Sequence, residues 1–193
     1  MKKLLFLNSC VNRNTSRTYQ IAKELISSLT EKENFEVCEL VLEDENIQAL
    51  TSDTLNERFD LLAKEDFSNE KFNLANQFKN ADCIVISAPY WDFGFPTILK
   101  SYIEATSIVG VVYKFSENGQ PIGLCSAEKM YYVTTRGGYV GNENDLGFAT
   151  LTQLGNLCGI KEVKCIGVDG FDIPINDPNT LVKTAIDDLP NLI

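Results

Sequence analysis

Short apolar runs alternate along the chain with stretches in which apolar residues recur every three or four positions. Residues 3–8 (KLLFLN), 82–88 (DCIVISA), 129–135 (KMYYVTT) and 162–168 (EVKCIGV) are strand-length runs, and 35–41 (FEVCELV) alternates like a strand. The near-continuous runs suit strands covered on both faces, as in a parallel sheet. Helical spacing appears over 16–29, where Ile21, Leu25 and Leu29 fall on one face, and again over 53–64, 69–79, 96–107, 145–158 and 178–189. Thr15 or Ser16 can cap the first of these, Pro96 suits a first helical turn, and Gly159 ends the helix before it. Residues 111–125 read as a hairpin turning at Asn118-Gly119. Strand and helix therefore alternate five times, which predicts a parallel sheet with helices on both faces and right-handed crossovers. In such sheets ligands sit beyond the carboxyl ends of the strands, where the strand order switches.

Composition narrows the picture. The 193 residues suit one domain over 1–193, with no repeat, low-complexity tract or linker. A net charge of −10 argues against nucleic acid or an anionic membrane as partner. No histidine is present, so histidine general-base chemistry and histidine metal sites are excluded. Six scattered cysteines without a C-x-x-C pair read as reduced, mostly buried thiols, with Cys10 the expected exception because it directly follows a strand. The opening MKKLLFLNSC is too short for a signal sequence, and no apolar run is long enough to span a membrane, so the expectation is a soluble cytoplasmic protein. The acidic segment 42–70 reads as a solvated connection, or as a cover over the site or a dimer boundary.

Three loops carry the candidate chemistry. The loop after the first strand, Asn8 to Thr18, matches neither the dinucleotide fingerprint nor the P-loop. It does place four hydroxyls (Ser9, Thr15, Ser16, Thr18) and two arginines around a helix start, where free N–H groups and the helix dipole favour an anion. That suits a single terminal phosphate; plain capping of the helix is the other reading. The loop Ser87 to Pro96 holds four aromatics in six positions between two prolines, a wall for a flat ring or a patch packed under the next helix. The loop Thr134 to Tyr139 holds Gly137-Gly138, which suits positive φ, close backbone approach and an anion-binding nest, or an ordinary left-handed turn. Together the loops outline one pocket for a planar ring bearing one phosphate, and flavin mononucleotide (FMN) has that shape.

At this point the residues resemble a known family. Ala88-Pro89-Tyr90-Trp91-Asp92-Phe93-Gly94-Phe95-Pro96 with Leu99-Lys100 and Tyr102-Ile103, Tyr113-Lys114-Phe115 with Glu117-Asn118-Gly119, and Thr135-Arg136-Gly137-Gly138 are similar to the flavodoxin-like NAD(P)H:quinone oxidoreductases that include the FMN-dependent azoreductases. The resemblance covers residue 3 to about 170; the aromatic loop and the Arg-Gly-Gly loop are its specific parts, and 42–68 is not among them. It implies a flavodoxin-like α/β fold with a five-stranded parallel sheet in the order 2-1-3-4-5. It also implies a homodimer with FMN at the subunit boundary, and two-electron ping-pong transfer from NADH or NADPH to small aromatic acceptors such as quinones, azo compounds or nitroaromatics. Carried over, the phosphate contacts fall on Ser9, Ser16, Arg17 and Thr18. The ring contacts fall on Pro89, Tyr90, Trp91, Asp92, Phe93, Thr135, Arg136, Gly137 and Gly138, and Phe115 is the residue that would stack on ring or substrate. Where the family often has Ser-x-Ser after an arginine, this chain has Asn14-Thr15-Ser16-Arg17-Thr18, so the phosphate donors can shift by a residue or two. No protein base is implied, because the flavin performs the hydride transfer. Two other functions share this fold: a one-electron carrier of flavodoxin type, and a binding module without flavin.

Overall fold

A computed structural model describes residues 1–193. Five parallel strands form its central sheet: β1 (Lys2–Asn8), β2 (Phe35–Val41), β3 (Cys83–Ser87), β6 (Lys129–Thr135) and β7 (Glu162–Val168), in the spatial order β2-β1-β3-β6-β7. The two intervening strands, β4 (Tyr113–Phe115) and β5 (Pro121–Gly123), form a separate antiparallel hairpin. Counting central strands alone, the order is the expected 2-1-3-4-5.

Alternation within each strand sends neighbours to opposite faces. Leu4, Phe6, Val85, Tyr131 and Val133 pack under α1 (Arg17–Lys32) and α6 (Pro178–Leu192), meeting Ile21, Leu25, Val182 and Leu189. Leu5, Leu7, Ile84, Ile86, Met130 and Tyr132 pack on the other face, against α3 (Asn73–Lys79), α4 (Thr97–Thr106) and α5 (Leu146–Cys158). The central strands are buried on both sides, which is why they read as continuous apolar runs. Edge strand β2 keeps only Leu40 fully buried. One further helix, α2 (Ser52–Ala63), lies in the acidic segment; it has no buried residue, and Leu61 and Leu62 touch the core from outside. No helix is long and apolar enough to cross a membrane.

Two local expectations are corrected. Cys10 is buried and its thiol lies beside the Ser87 carbonyl and hydroxyl, whereas the exposed thiol is Cys38, on the uncovered edge strand. Burial pushes the Cys10 thiol above its ordinary value, so it is a poor nucleophile. Pro96 precedes α4 as its cap rather than opening its first turn. The hairpin forms as expected, with strands of three residues each, and turns at Asn118-Gly119: Ser116 N–H donates to Gln120 O, Gly119 N–H to Ser116 O, and Gly119 is left-handed (φ +73°).

Candidate functional site

The loops after β1, β3, β6 and β7 meet at the carboxyl end of the sheet. Ser16 caps α1, its hydroxyl accepting the Tyr19 N–H at 3.1 Å. The N–H groups of Ser16, Arg17 and Thr18 have no partner within the chain, which leaves a first turn of donors for an anion. Thr18 is buried, and its hydroxyl is 2.6 Å from that of Thr135, so the start of α1 is tied to the end of β6. Arg17 lies with its guanidinium 5.1 Å from the centre of the Phe171 ring. Arg13 instead pairs with Asp44 at 3.1 Å and Glu43 at 3.9 Å, linking this loop to the acidic segment. Ser9 is buried, and both its N–H and its hydroxyl donate to the Ser87 carbonyl, at 3.0 and 2.8 Å. Its hydrogens are thus already engaged between β1 and β3.

Cys10, Asn12, Ser16, Thr18, Trp91 and Thr135 are among the residues lining a cleft of about 200 Å³. Pro89 and Arg17 also line it, with Val11 and Thr15, so the structure brings together the α1 start, the aromatic loop and the end of β6. Within the aromatic loop, Tyr90 N–H donates to Thr135 O at 3.1 Å, continuing the β3–β6 pairing beyond the strand. The chain then reverses: Trp91 and Gly94 exchange two backbone hydrogen bonds, and the two residues between them, Asp92 (φ +49°) and Phe93 (φ +68°), are both left-handed. That is the geometry of a primed turn, which glycine or asparagine normally supplies. The turn holds Trp91 half exposed and Phe93 72% exposed. Its far side faces a second hollow of about 390 Å³ with Pro96, Lys100 and Leu146.

The loop after β6 is built differently. Arg136 is only 1% exposed, and its guanidinium points inward. Its Nε donates to Asp145 Oδ2 at 2.9 Å, Nη1 to Asp169 Oδ1 at 2.8 Å and Nη2 to Asn142 Oδ1 at 2.8 Å. Burial alone would lower the pKa of this arginine, but Asp169 and Asp145 outweigh it and raise it. Burial likewise pushes the Asp169 carboxyl up, and the bonds from Arg136, Gly141 and Val140 hold it below its ordinary value. Asp145 Oδ1 also caps α5 by accepting Phe148 N–H at 2.9 Å.

The backbone is held as firmly. Arg136 N–H donates to Val168 O, while the carbonyls of Arg136, Gly137 and Gly138 accept from Phe171, Asp172 and Gly170. With the Gly137 and Gly138 carbonyls fixed on the β7 side, the N–H groups of Gly137, Gly138 and Tyr139 are left without a partner. Neither Gly137 nor Gly138 has positive φ, contrary to the left-handed turn that the pair suggests. Their use is space. A side chain on Gly137 would collide with the Asp172 carboxylate, and one on Gly138 would enter open space.

The structure therefore brings Ser16, Arg17, Thr18, Pro89, Trp91 and Thr135 into one cleft, with Gly137 and Gly138 on the neighbouring loop and Asp92 and Phe93 on the turn that forms its rim. It does not present the side chains of Ser9 or Arg136 there, and Tyr90 lies with its ring 6.0 Å from the Arg136 guanidinium. Phe115, 57% exposed on the hairpin, lines neither the cleft nor the second hollow. The loop Asp169 to Asn176 went unnoticed in the sequence, although Asp169, Phe171 and Asp172 all buttress the site. Its signal was position alone: it follows the last strand at the carboxyl end. Another hollow, of about 170 Å³ beside Lys2 and Tyr131, lies at the amino end of the sheet, away from all four loops.

Comparison with known proteins agrees with this geometry. A model of the flavodoxin-like fold matches residues 2–191. An FMN-dependent NADH:quinone oxidoreductase of Clostridium perfringens is 32% identical over 191 residues, covering 97% of this chain and 96% of the relative. A similar enzyme of Clostridium beijerinckii is 30% identical, covering 97% and 96%. Among solved structures, an azoreductase from Bacillus anthracis superposes with a TM-score of 0.85 at 20% identity, covering 100% of this chain and 98% of that one. An FMN-dependent NADH-azoreductase from the same species, solved with FMN, gives 0.83 at 20% identity, covering 100% and 97%. At that identity the two structures speak for the fold.

Proposed function

We infer the function from one premise: this chain belongs to the flavodoxin-like fold family and, within it, to the FMN-dependent NADH:quinone oxidoreductases. It is an FMN-dependent enzyme that moves electrons in pairs from a nicotinamide nucleotide to flat acceptors, namely quinones, azo compounds or nitroaromatics. The observation that carries the reading is a pair of unpartnered donor clusters at the carboxyl end of the sheet: the N–H groups of Ser16, Arg17 and Thr18, which line the cleft walled by Pro89 and Trp91, and those of Gly137, Gly138 and Tyr139 on the loop that follows its wall residue Thr135. One cluster suits a phosphate and the other the polar edge of a ring, so the residues present fit FMN.

When bound, FMN supplies the hydride chemistry, and the protein orients it and tunes its electronics. The first turn of α1 would hold the phosphate, with Arg17 adding positive charge and Thr18 steadied by Thr135. Pro89 and Trp91, with the Tyr90 backbone between them, would flank the ring, and the Asp92-Phe93 turn would offer it two N–H groups without partners in the chain. The N–H groups after Arg136, fixed by the backbone bonds behind them, would supply preorganised donors to negative charge on the ring edge. Ser9 and Arg136 act from behind, through the backbone they tie down. The open rim at Trp91 and Phe93 leaves space for donor and acceptor to occupy the same place in turn, as a ping-pong sequence requires. Residues 1–193 act as one FMN-binding domain. The family resemblance implies that two copies associate, with Phe115, exposed on the hairpin, as the residue to stack on ring or substrate; elution as a monomer in gel filtration would remove that dimer.

The decisive experiment is an anaerobic titration of the FMN-loaded protein with NADH and, separately, NADPH. The expected result is one FMN per chain and bleaching of its visible absorbance without a one-electron stage. A colourless protein that takes up no FMN, or a loaded one that neither nucleotide bleaches, would overturn the reading. The first result would favour a flavin-free module and the second an electron carrier.

A further inference from the structure

Asp169 joins two functions in one carboxylate. Its Oδ1 accepts Arg136 Nη1 at 2.8 Å; its Oδ2 accepts the N–H groups of Val140 at 2.9 Å and Gly141 at 2.8 Å. It therefore fixes the downstream end of the segment 137–141. The upstream end is fixed by Arg136, through its N–H to Val168 O and its carbonyl from Phe171 N–H. Between these two anchors the carbonyls of Gly137 and Gly138 are drawn toward Asp172 and Gly170. A peptide group is planar, so its N–H and C=O point in opposite directions. Drawing the three successive carbonyls of Arg136, Gly137 and Gly138 to the β7 side turns the N–H groups of the residues that follow each of them toward the other side. The three donors left without partners, on Gly137, Gly138 and Tyr139, are the result.

We propose that Asp169, oriented by the buried Arg136, is a positioning residue that aims the Gly137–Tyr139 N–H groups at the ring of the bound flavin. The inference rests on the FMN reading above and adds to it the part of the fold that sets donor direction. The arrangement is enforced from the β7 side, by the backbone bonds to Gly170, Phe171 and Asp172 and, at the downstream end, by the Asp169 carboxylate. An asparagine at 169 has one acceptor oxygen instead of two, so it can serve Arg136 or the two N–H groups but not both. A glutamate keeps the charge opposite Arg136 but carries its oxygens one methylene further, out of register with Val140 and Gly141.

The test compares FMN with riboflavin, which has the same ring and no phosphate. Dissociation constants are measured by fluorescence quenching for the wild-type protein, Asp169→Asn, Asp169→Glu and Thr18→Val, with the thermal midpoint of each apo-protein recorded. For Asp169→Asn we expect at least a tenfold loss of affinity, equal for FMN and riboflavin, and a more negative midpoint potential of bound FMN. Thr18→Val should weaken FMN more than riboflavin. Asp169→Glu should show the same equal loss, at least threefold, and decides the matter if Asp169→Asn does not fold. Unchanged riboflavin affinity and unchanged potential in a folded Asp169 variant would overturn the proposal, as would a loss confined to FMN. Failure of the wild-type protein to bind either flavin would instead overturn the FMN reading itself.

Discussion

Two loops border the cleft, and they are held by opposite means. The Trp91–Gly94 turn carries its strain in the backbone: two residues with side chains sit at positive φ, and each such residue costs roughly 1–2 kcal/mol relative to a right-handed conformation. Only the exchange between Trp91 and Gly94 closes it, and its aromatic tips stand in solvent. The loop after Arg136 has no such strain at its glycine pair. It is secured from within by one guanidinium, two carboxylates and an amide. The lesson is that rigidity follows partners rather than residue type. The proline-bracketed aromatic loop is lightly anchored, and the glycine loop is firmly fixed.

The largest effect should come from removing that interior support. Arg136→Ala leaves two carboxylates facing each other without their cation, and breaking a buried pair in this way costs about 3–5 kcal/mol. Urea unfolding should show that loss; a cost below about 1 kcal/mol would mean the two loops are held with similar strength. Next comes Gly138→Val. The added side chain meets no protein atom, so stability should stay within about 0.5 kcal/mol of wild type. FMN affinity should nevertheless fall by about tenfold or more, which is about 1.4 kcal/mol. Unchanged flavin retention and unchanged anaerobic reduction would place the ring elsewhere. The smallest effect is on the strained side. Phe93→Gly relieves the left-handed conformation, less the roughly 0.5–1 kcal/mol that glycine loses in backbone entropy. A net gain in stability of up to about 1 kcal/mol is expected, together with slower turnover of aromatic acceptors. A loss of stability would show that the Phe93 side chain anchors the turn after all.

Much of the fold was legible because the central strands are covered on both faces and so leave unbroken apolar runs, such as Cys83–Ser87. One helix start was legible through capping chemistry: Ser16 accepts an N–H three residues on. The site was legible as loops but not as orientations. Gly137-Gly138 signalled close approach, yet nothing local in the sequence told that Arg136 turns inward, because its partners Asp145 and Asp169 lie 9 and 33 residues away. The positive φ at Asp92 and Phe93 was hidden for a different reason: neither residue type favours it, and the pairing of Trp91 with Gly94 imposes it. Cys38 escaped notice because an alternating edge strand gives no sign of which face lacks a cover.

Arg136 draws its support from Asn142, Asp145 and Asp169, on two separate connections. Transplanting the Arg-Gly-Gly stretch into another scaffold would therefore move only the visible part of a four-residue assembly. An engineer who wanted the donors to keep their aim would have to carry both connections across together, along with the spacing between the two strands that bear them.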